Sequence, residues 1–343
     1  MELPKTIKAW QYGTISGGIE KSLKLNPSAP MPTPKQNQHL IKIHSVSLNP
    51  VDYKPAEVAL MRRVAIPNPA TPGIDFSGTI VKPAQGSSFK VGDKVFGAGP
   101  SPFAGGCLAE YAVAGTDSTV LIPQGVTMEH ASTIAVAALT AYQSIEPHIR
   151  SKPDSHVFLN GGSGGTGIFG IQIAKALGCH VITTCSSRNV ELCRDLGADE
   201  VVDYTKESSL PDALAKITNA RKVDHIVDNV GSNLSLFWKA HTYSVPESKF
   251  IIIAGVPSLR FAIDSSKMKF LPSWLGGGQR KAEGFFAKIN ASELERVAGW
   301  MAEGKIKPVV DQNFAFGEAP KAFEKLKTGR ARGKIVISVE GSS

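Results

Sequence analysis

Asn160-Gly161-Gly162-Ser163-Gly164-Gly165-Thr166-Gly167 is the stretch whose reading decides the fold. Within it, Gly162, Gly164 and Gly167 satisfy G-x-G-x-x-G. Alone, such a match is weak in a chain of 33 glycines, but its flanks are specific. The apolar run His156–Leu159 enters it as a strand, and the apolar run Ile168–Leu177 leaves it as a helix. Glycine lets the backbone turn sharply and approach a pyrophosphate, while a helix N-terminus offers free N–H groups and partial positive charge. Gly165 belongs to the same stretch, and Ser163 and Thr166 can add hydroxyl hydrogen bonds. The stretch Gly162–Gly167 therefore reads as a dinucleotide-binding turn.

Outward from the turn, strands and helices alternate. Strand His180–Cys185, helix Val190–Leu196, strand Glu200–Val202, helix Leu210–Ile217, strand His225–Val227 and strand Phe250–Ala254 follow in order. That alternation predicts an α/β fold with a doubly wound parallel sheet covered by helices. Before it lies an Ala-rich helical stretch, Glu129–Ile145, and the character of the chain changes near residue 128. The first part is β-rich, with runs His39–Ser47, Phe76–Val81 and Glu110–Ala114 separated by turn clusters. The tail mixes helix Ala291–Glu303, the extended run Val309–Phe316, helix Glu318–Thr328 and a closing strand Lys334–Val339. Pro257–Asn290, with Trp274 and Phe285-Phe286, is either an elaborated edge used in association or a flexible apolar wall of a substrate pocket.

The cofactor can be narrowed. A carboxylate at the end of the second strand of such a unit favours the free ribose 2′-hydroxyl of NAD. After His180–Cys185 this chain offers Ser186-Ser187-Arg188-Asn189, with no acid until Glu191. Hydroxyls and a guanidinium suit a 2′-phosphate, which points to NADPH. Ser186 and Asn189 can also serve as caps of the next helix.

Composition agrees with a globular protein. The 343 residues are 42% hydrophobic and 20% charged, which supports real cores and excludes disorder. The net charge of +8 is scattered rather than collected in runs, so it suits an anionic cofactor better than a nucleic acid. Four cysteines without a C-x-x-C pair fit a reducing compartment. The start of the chain lacks a secretory pattern, Gly341-Ser342-Ser343 is no retention signal, and no apolar run is long enough to span a membrane. A cytoplasmic protein is expected.

Several further motifs stand in one order. They are Leu48-Asn49-Pro50-Val51-Asp52-Tyr53-Lys54, Pro72-Gly73-Ile74-Asp75-Phe76-Ser77-Gly78, and Val91-Gly92-Asp93-Lys94-Val95-Phe96-Gly97. Gly105-Gly106-Cys107-Leu108-Ala109-Glu110-Tyr111, Leu196-Gly197-Ala198-Asp199-Glu200-Val201-Val202-Asp203-Tyr204 and Gly333-Lys334-Ile335-Val336-Ile337 complete the set. With the glycine-rich turn, the chain resembles the medium-chain dehydrogenase/reductase superfamily along nearly its whole length, in the zinc-free quinone oxidoreductase and enoyl reductase branch. The resemblance implies a GroES-like catalytic domain built from residues 1–127 and 275–343, and a Rossmann NADPH-binding domain over 128–274. It also implies that Asn49, Val51 and Asp52, within the run to Lys54, line the nicotinamide side. Ser163 to Thr166 would hold the pyrophosphate, and Ser186, Ser187 and Arg188 the 2′-phosphate. Tyr204 would lie at the adenosine end and Ala254-Gly255 near the nicotinamide. Members are commonly homodimers, and some enoyl reductases are monomers.

The positions that bind catalytic zinc in related alcohol dehydrogenases correspond by this resemblance to Asn49, Ile74 and approximately Val136, and none is a thiolate or imidazole. No metal is expected. A zinc-free pocket can still reduce an activated alkene, provided it stabilises the negative charge that grows on the carbonyl oxygen. Lys54 is the expected electrostatic group, with Tyr53 as a hydrogen-bond donor and Thr140 near the nicotinamide amide. Each has a plainer reading: a solvated lysine, a packing tyrosine, a threonine bonded within its helix. Asp52 reads as a structural hydrogen-bonding residue rather than a base. The expected substrate is a small unsaturated carbonyl compound. Similar fungal proteins act as stand-alone enoyl reductases for polyketide synthases, which leaves a carrier-bound substrate open. One-electron quinone reduction and a cofactor-binding structural or RNA-binding role are the competing readings.

Overall fold

The computed structural model describes residues 3–100, 105–152, 154–253, 259–275 and 277–339. The chain divides into two compact units, Met1–Leu139 with Lys288–Ser343, and Thr140–Ala287.

The first unit begins with an antiparallel pair, β1 (Thr6–Gln11) and β2 (Lys24–Pro30). The long strand β3 (Gln38–Leu48) then leads through a short 3-10 turn, Pro50–Asp52, into the helices Lys54–Glu57 and Ala59–Ala65. Strands β4 (Asp75–Lys82), β5 (Lys94–Ala98), β6 (Tyr111–Gly115) and β7 (Thr119–Leu121) follow. Gly73 bridges into β4 at φ +89, and a Cβ there would meet Val46 Cγ1 at 2.8 Å, so only glycine fits.

The second unit is a six-stranded parallel sheet. Its strands are β8 (His156–Asn160), β9 (His180–Cys185), β10 (Glu200–Asp203), β11 (His225–Asp228), β12 (Lys249–Ile252) and β13 (Lys281–Gly284). They lie in the order β10-β9-β8-β11-β12-β13. The order reverses at β8, the arrangement of a doubly wound dinucleotide fold. Strand residues alternate between two buried faces. Val157, Leu159, Val181 and Val227 pack on one side with Ile171. Phe158, Ile182, Ile226 and Phe250 pack on the other with Leu214 and Tyr243. Burial on both faces explains why the strands read as continuous apolar runs rather than as an alternation.

The chain then returns to the first unit. β14 (Val310–Ala315) and β15 (Lys334–Ser338) pair in parallel, and β15 lies antiparallel to β3. The resulting sheet runs β14-β15-β3-β4-β5-β7, with β6 also on β3. The core of this unit gathers side chains from both ends of the sequence, Ile41, Val46 and Phe76 with Phe323 and Ile337. The fold is thus a GroES-like β-rich domain and a Rossmann parallel-sheet domain.

One sequence expectation is corrected. The helix expected over Glu129–Ile145 is two helices, Met128–Ser132 and Ala135–Ile149. The break falls where Ser132 Oγ and Thr133 Oγ1 donate back to the carbonyls of Glu129 and His130, which competes with helix continuation. Of the two readings of the segment 257–290, the elaborated edge is present: β13 is a parallel edge strand, preceded by a helix Leu259–Phe270.

Closing β15 against β3 also closes an ion pair. Lys334 Nζ lies 3.5 Å from Asp75 Oδ2, with side chains only 2% and 0% exposed. Burial pushes the Asp75 carboxyl up and the Lys334 ammonium down, and each opposes the other's shift. Lys334→Met strands the Asp75 charge in the core. It should cost about 3–5 kcal/mol in unfolding free energy by urea titration, and Asp75→Asn in the same chain should recover much of that loss.

Candidate functional site

In the first unit the segment 49–54 is held from beneath. Asn49 Nδ2 donates to Asp75 Oδ2 at 2.8 Å, and Lys334 Nζ donates to Asn49 Oδ1 at 2.5 Å. Asp52 accepts from the backbone N–H of Asn49 at 2.6 Å and of Ile74 at 2.9 Å. Burial, with Asp75 nearby, pushes the Asp52 carboxyl up to about 7, although these donors pull the other way. Asn49 and Asp52 are therefore committed inside the protein, and Val51, Tyr53 and Lys54 are left half-buried above them. Burial pushes the Lys54 ammonium down from its ordinary value. The Tyr53 hydroxyl is pushed up by burial and by Glu57, and the Lys327 ammonium stands 5.8 Å from its ring centre. Lys327 is itself pinned by Glu20 at 2.7 Å and Glu57 at 2.6 Å, so this side of the segment is braced by charge.

Asn49, Ile74 and Val136 meet around the same carboxylates. Val136 offers its backbone N–H to Asp75 Oδ1 at 2.9 Å, Ile74 its backbone N–H to Asp52, and Asn49 its amide to Asp75. An amide already hydrogen-bonded and two aliphatic side chains supply no zinc donor set. Among the described residues no group of three or more His, Cys, Asp or Glu side chains could hold a metal ion.

In the second unit the glycine-rich turn sits at the C-terminal end of β8. The three glycines of the motif divide the work. A Cβ on Gly162 would meet Thr183 Oγ1 at 2.2 Å, and one on Gly167 would meet Gly161 O at 2.1 Å. Those two are required by packing of the turn and the helix. A Cβ on Gly164 would meet only Gly161 O, at 3.5 Å. Its bareness has no internal steric cause and suits close approach of a ligand backbone. The helix Gly167–Ala176 starts without a side-chain cap, so its first N–H groups face the turn. These features fit the pyrophosphate of a dinucleotide.

A polar network anchors the turn from below. Thr184 Oγ1 donates to Asn160 Oδ1 at 2.6 Å and accepts from Gly161 N at 2.9 Å. Asn160 Nδ2 donates to Asp228 Oδ1 at 2.7 Å, which also accepts from Val230 N and Gly231 N. Sequence reading missed Thr184 and Asp228. Their signal was a polar residue at or next to the end of an apolar strand, in Val181-Ile182-Thr183-Thr184-Cys185 and in His225-Ile226-Val227-Asp228.

Asn189 links the turn to the loop that follows β9. Its Nδ2 donates to Ser163 Oγ at 3.0 Å and to Ser186 Oγ at 3.3 Å, and its Oδ1 is buried without a partner among the described residues. Neither Ser186 nor Asn189 caps the following helix with its side chain. Ser187 and Arg188 are exposed beside them, and Tyr204 is 52% exposed at the end of β10. Gly165 and Thr166 are half-buried in the turn, and Thr140 is buried in the helix Ala135–Ile149. Ala254 and Gly255 lie outside the described residues. One acid was overlooked. Ser187 Oγ donates to Asp203 Oδ2 at 2.5 Å, because β10 pairs with β9 in a register that sets Asp203 opposite Cys185.

Comparison with known proteins agrees with this architecture. A family model described as alcohol dehydrogenase GroES-like domain matches residues 35–124, and one described as zinc-binding dehydrogenase matches residues 196–337. The chain is 41% identical to trans-enoyl reductase pgmF of Aspergillus terreus, over 98% of each chain. It is 32% identical to the chloroplastic quinone-oxidoreductase QR1 of Triphysaria versicolor, over 97% of this chain and 98% of that one. The solved quinone oxidoreductase of Coxiella burnetii superposes with a TM-score of 0.82 at 29% identity, covering 98% of this chain and 100% of that one. No helix among the described residues is long and apolar enough to cross a membrane. The chain belongs to the medium-chain dehydrogenase/reductase superfamily, as a zinc-independent NAD(P)H-dependent oxidoreductase of its enoyl reductase and quinone oxidoreductase branch.

Proposed function

We propose that this protein is an NADPH-dependent reductase that saturates the carbon–carbon double bond of a small, activated α,β-unsaturated carbonyl compound. The observation that carries the reading is Lys54. It is a half-buried cation on a segment clamped by Asn49, Asp52 and Lys334, and among the described residues no group of three or more His, Cys, Asp or Glu side chains could hold a metal ion there. The 41% likeness to a trans-enoyl reductase supports the same reaction class.

When bound, NADPH supplies the hydride. The protein's tasks are then to hold the cofactor and to stabilise the charge that appears on the substrate oxygen. The turn Gly162–Gly167 supplies backbone N–H groups for the pyrophosphate, with Ser163 and Thr166 beside them. Ser186, Ser187 and Arg188 present hydroxyls and a guanidinium for the 2′-phosphate. Tyr204 offers an aromatic face at the adenosine end. With hydride added at the β-carbon, Lys54 stabilises the developing enolate, its partial desolvation strengthens that interaction, and a proton delivered to the α-carbon completes the saturated carbonyl product. Tyr53 donates a second hydrogen bond, and Thr140 orients the nicotinamide amide. Quinone reduction remains the second reading, favoured by the likeness to plant and bacterial quinone oxidoreductases. NADPH oxidation across a panel of enones and quinones, followed by product identification, separates the two: a saturated ketone supports the first, a trapped semiquinone the second.

Lys54→Ala should lower kcat on an enone by about 100-fold while leaving NADPH binding intact, the scale seen when one charge-stabilising donor is removed. Because the ammonium form is required and its pKa is lowered, wild-type turnover should fall as pH rises through a value below 10.5, and this alkaline limb should vanish in the variant. Steady-state rates unchanged by the substitution remove lysine from the mechanism. Arg188→Ala should weaken NADPH by roughly tenfold, about 1.4 kcal/mol, and leave NADH binding unchanged in a fluorescence titration. An unaltered NADPH/NADH ratio would mean that the 2′-phosphate is bound elsewhere.

A further inference from the structure

The loop read above as the 2′-phosphate site has an acid inside it. Asp203 closes β10, and the parallel register with β9 brings it beside the residues that follow Cys185. Its Oδ2 accepts the Ser187 hydroxyl at 2.5 Å, and its Oδ1 accepts Thr205 Oγ1 at 2.6 Å and Thr205 N at 3.0 Å. Thr205 Oγ1 is also 2.8 Å from Ser187 Oγ, so the two hydroxyls and the carboxylate form one compact cluster. Lys206 Nζ stands 3.7 Å from Oδ2, a long and exposed contact. The Ser187 and Thr205 hydrogen bonds hold the Asp203 carboxyl down at about 2, so the cluster carries full negative charge at any working pH.

This arrangement has a consequence for the ligand. A serine hydroxyl has one proton. While Asp203 draws that proton, Ser187 turns lone pairs outward and cannot donate to a phosphate oxygen. A phosphate also meets the carboxylate's own negative charge, which opposes the pull of Arg188. A free ribose 2′-hydroxyl meets neither obstacle, because it is a donor and is uncharged.

We propose that Asp203, acting through Ser187, is a specificity-determining residue that holds down the preference for NADPH over NADH. The proposal rests on the assignment of Ser186–Arg188 to the 2′-phosphate. Arg188 supplies the attraction for the phosphate, and Asp203 limits it, so the protein discriminates between the two cofactors less sharply than its arginine alone would make it. The two residues are opposed parts of one selector.

Binding to the cofactor-free protein tests this without recourse to turnover. NADPH and NADH are titrated calorimetrically into wild type, Asp203→Asn and Arg188→Ala, with 2′,5′-ADP and 5′-AMP as probes of the adenosine end alone. Asp203→Asn should raise the Kd ratio of NADH to NADPH at least fivefold, through tighter NADPH, and should tighten 2′,5′-ADP but not 5′-AMP. A ratio that stays the same or falls overturns the proposal. Asp203→Ala carries the same expectation should the amide variant unfold. The two readings fail separately. Arg188→Ala without effect on the ratio removes the 2′-phosphate site itself. Arg188→Ala lowering the ratio while Asp203→Asn leaves it fixed removes only the role of Asp203.

Discussion

The buried contact between Lys334 and Asp75 is the constraint to which the rest of the first unit answers. Neither charge can reach water, and each is tolerable only because the other is there. Their chain positions are 259 residues apart, so the last strand must return to β3 and β4 before either is compensated. The pair does more than neutralise itself. Asp75 also receives the Asn49 amide and the Val136 N–H, and Lys334 also donates to Asn49. A closing strand, the entry to a helix and the segment before Lys54 therefore converge on one carboxylate. Asp52 repeats the device one turn later by accepting two backbone N–H groups. The half-buried side chains at 53 and 54 owe their placement to charges that never contact solvent.

The second unit solves its positioning problem differently. The residues beneath its turn are mostly neutral, and a chain of hydrogen bonds runs Thr184, Asn160, Asp228 across three neighbouring strands. This suits a site for a phosphate. Thr184 accepts the N–H groups of Gly161 and Gly162 and so holds the loop without placing a fixed cation in the core, and the helix N-terminus provides the positive potential. Gly162 and Gly167 keep the loop pressed onto this network, and Gly164 keeps it bare on its other side. Rigidity comes from below and accessibility is reserved for above.

What the sequence disclosed follows from the range of each signal. The turn, strand His180–Cys185 and helix Leu210–Ile217 were legible to the residue, because glycine spacing and apolar runs are local. The GroES-like unit was legible as β-rich and as built from both ends only through its motifs, since its pairing of β15 with β3 has no local signature. That β1 pairs with β2 is not legible because Pro27 and Pro30 interrupt the pattern, and an edge within 257–290 is legible only as one of two readings because Lys281-Ala282-Glu283-Gly284 is too short and polar to place a strand. The ion pair of Lys334 with Asp75 was invisible for the same reason as the pairing. Each residue reads as an ordinary polar position until its distant partner is placed.

Asp203 shows the same limit at the finest scale. Reading forward from β9 finds serines, an arginine and an asparagine, and concludes that no acid faces the ribose. In a parallel sheet, however, the residues that surround a strand end come from the neighbouring strand as much as from the loop that follows. Asp203 lies 16 residues beyond Ser187, yet it touches it. Cofactor recognition in a doubly wound fold is therefore a property of two adjacent strand ends. Sequence rules that scan one of them miss the acid that the neighbouring strand contributes here.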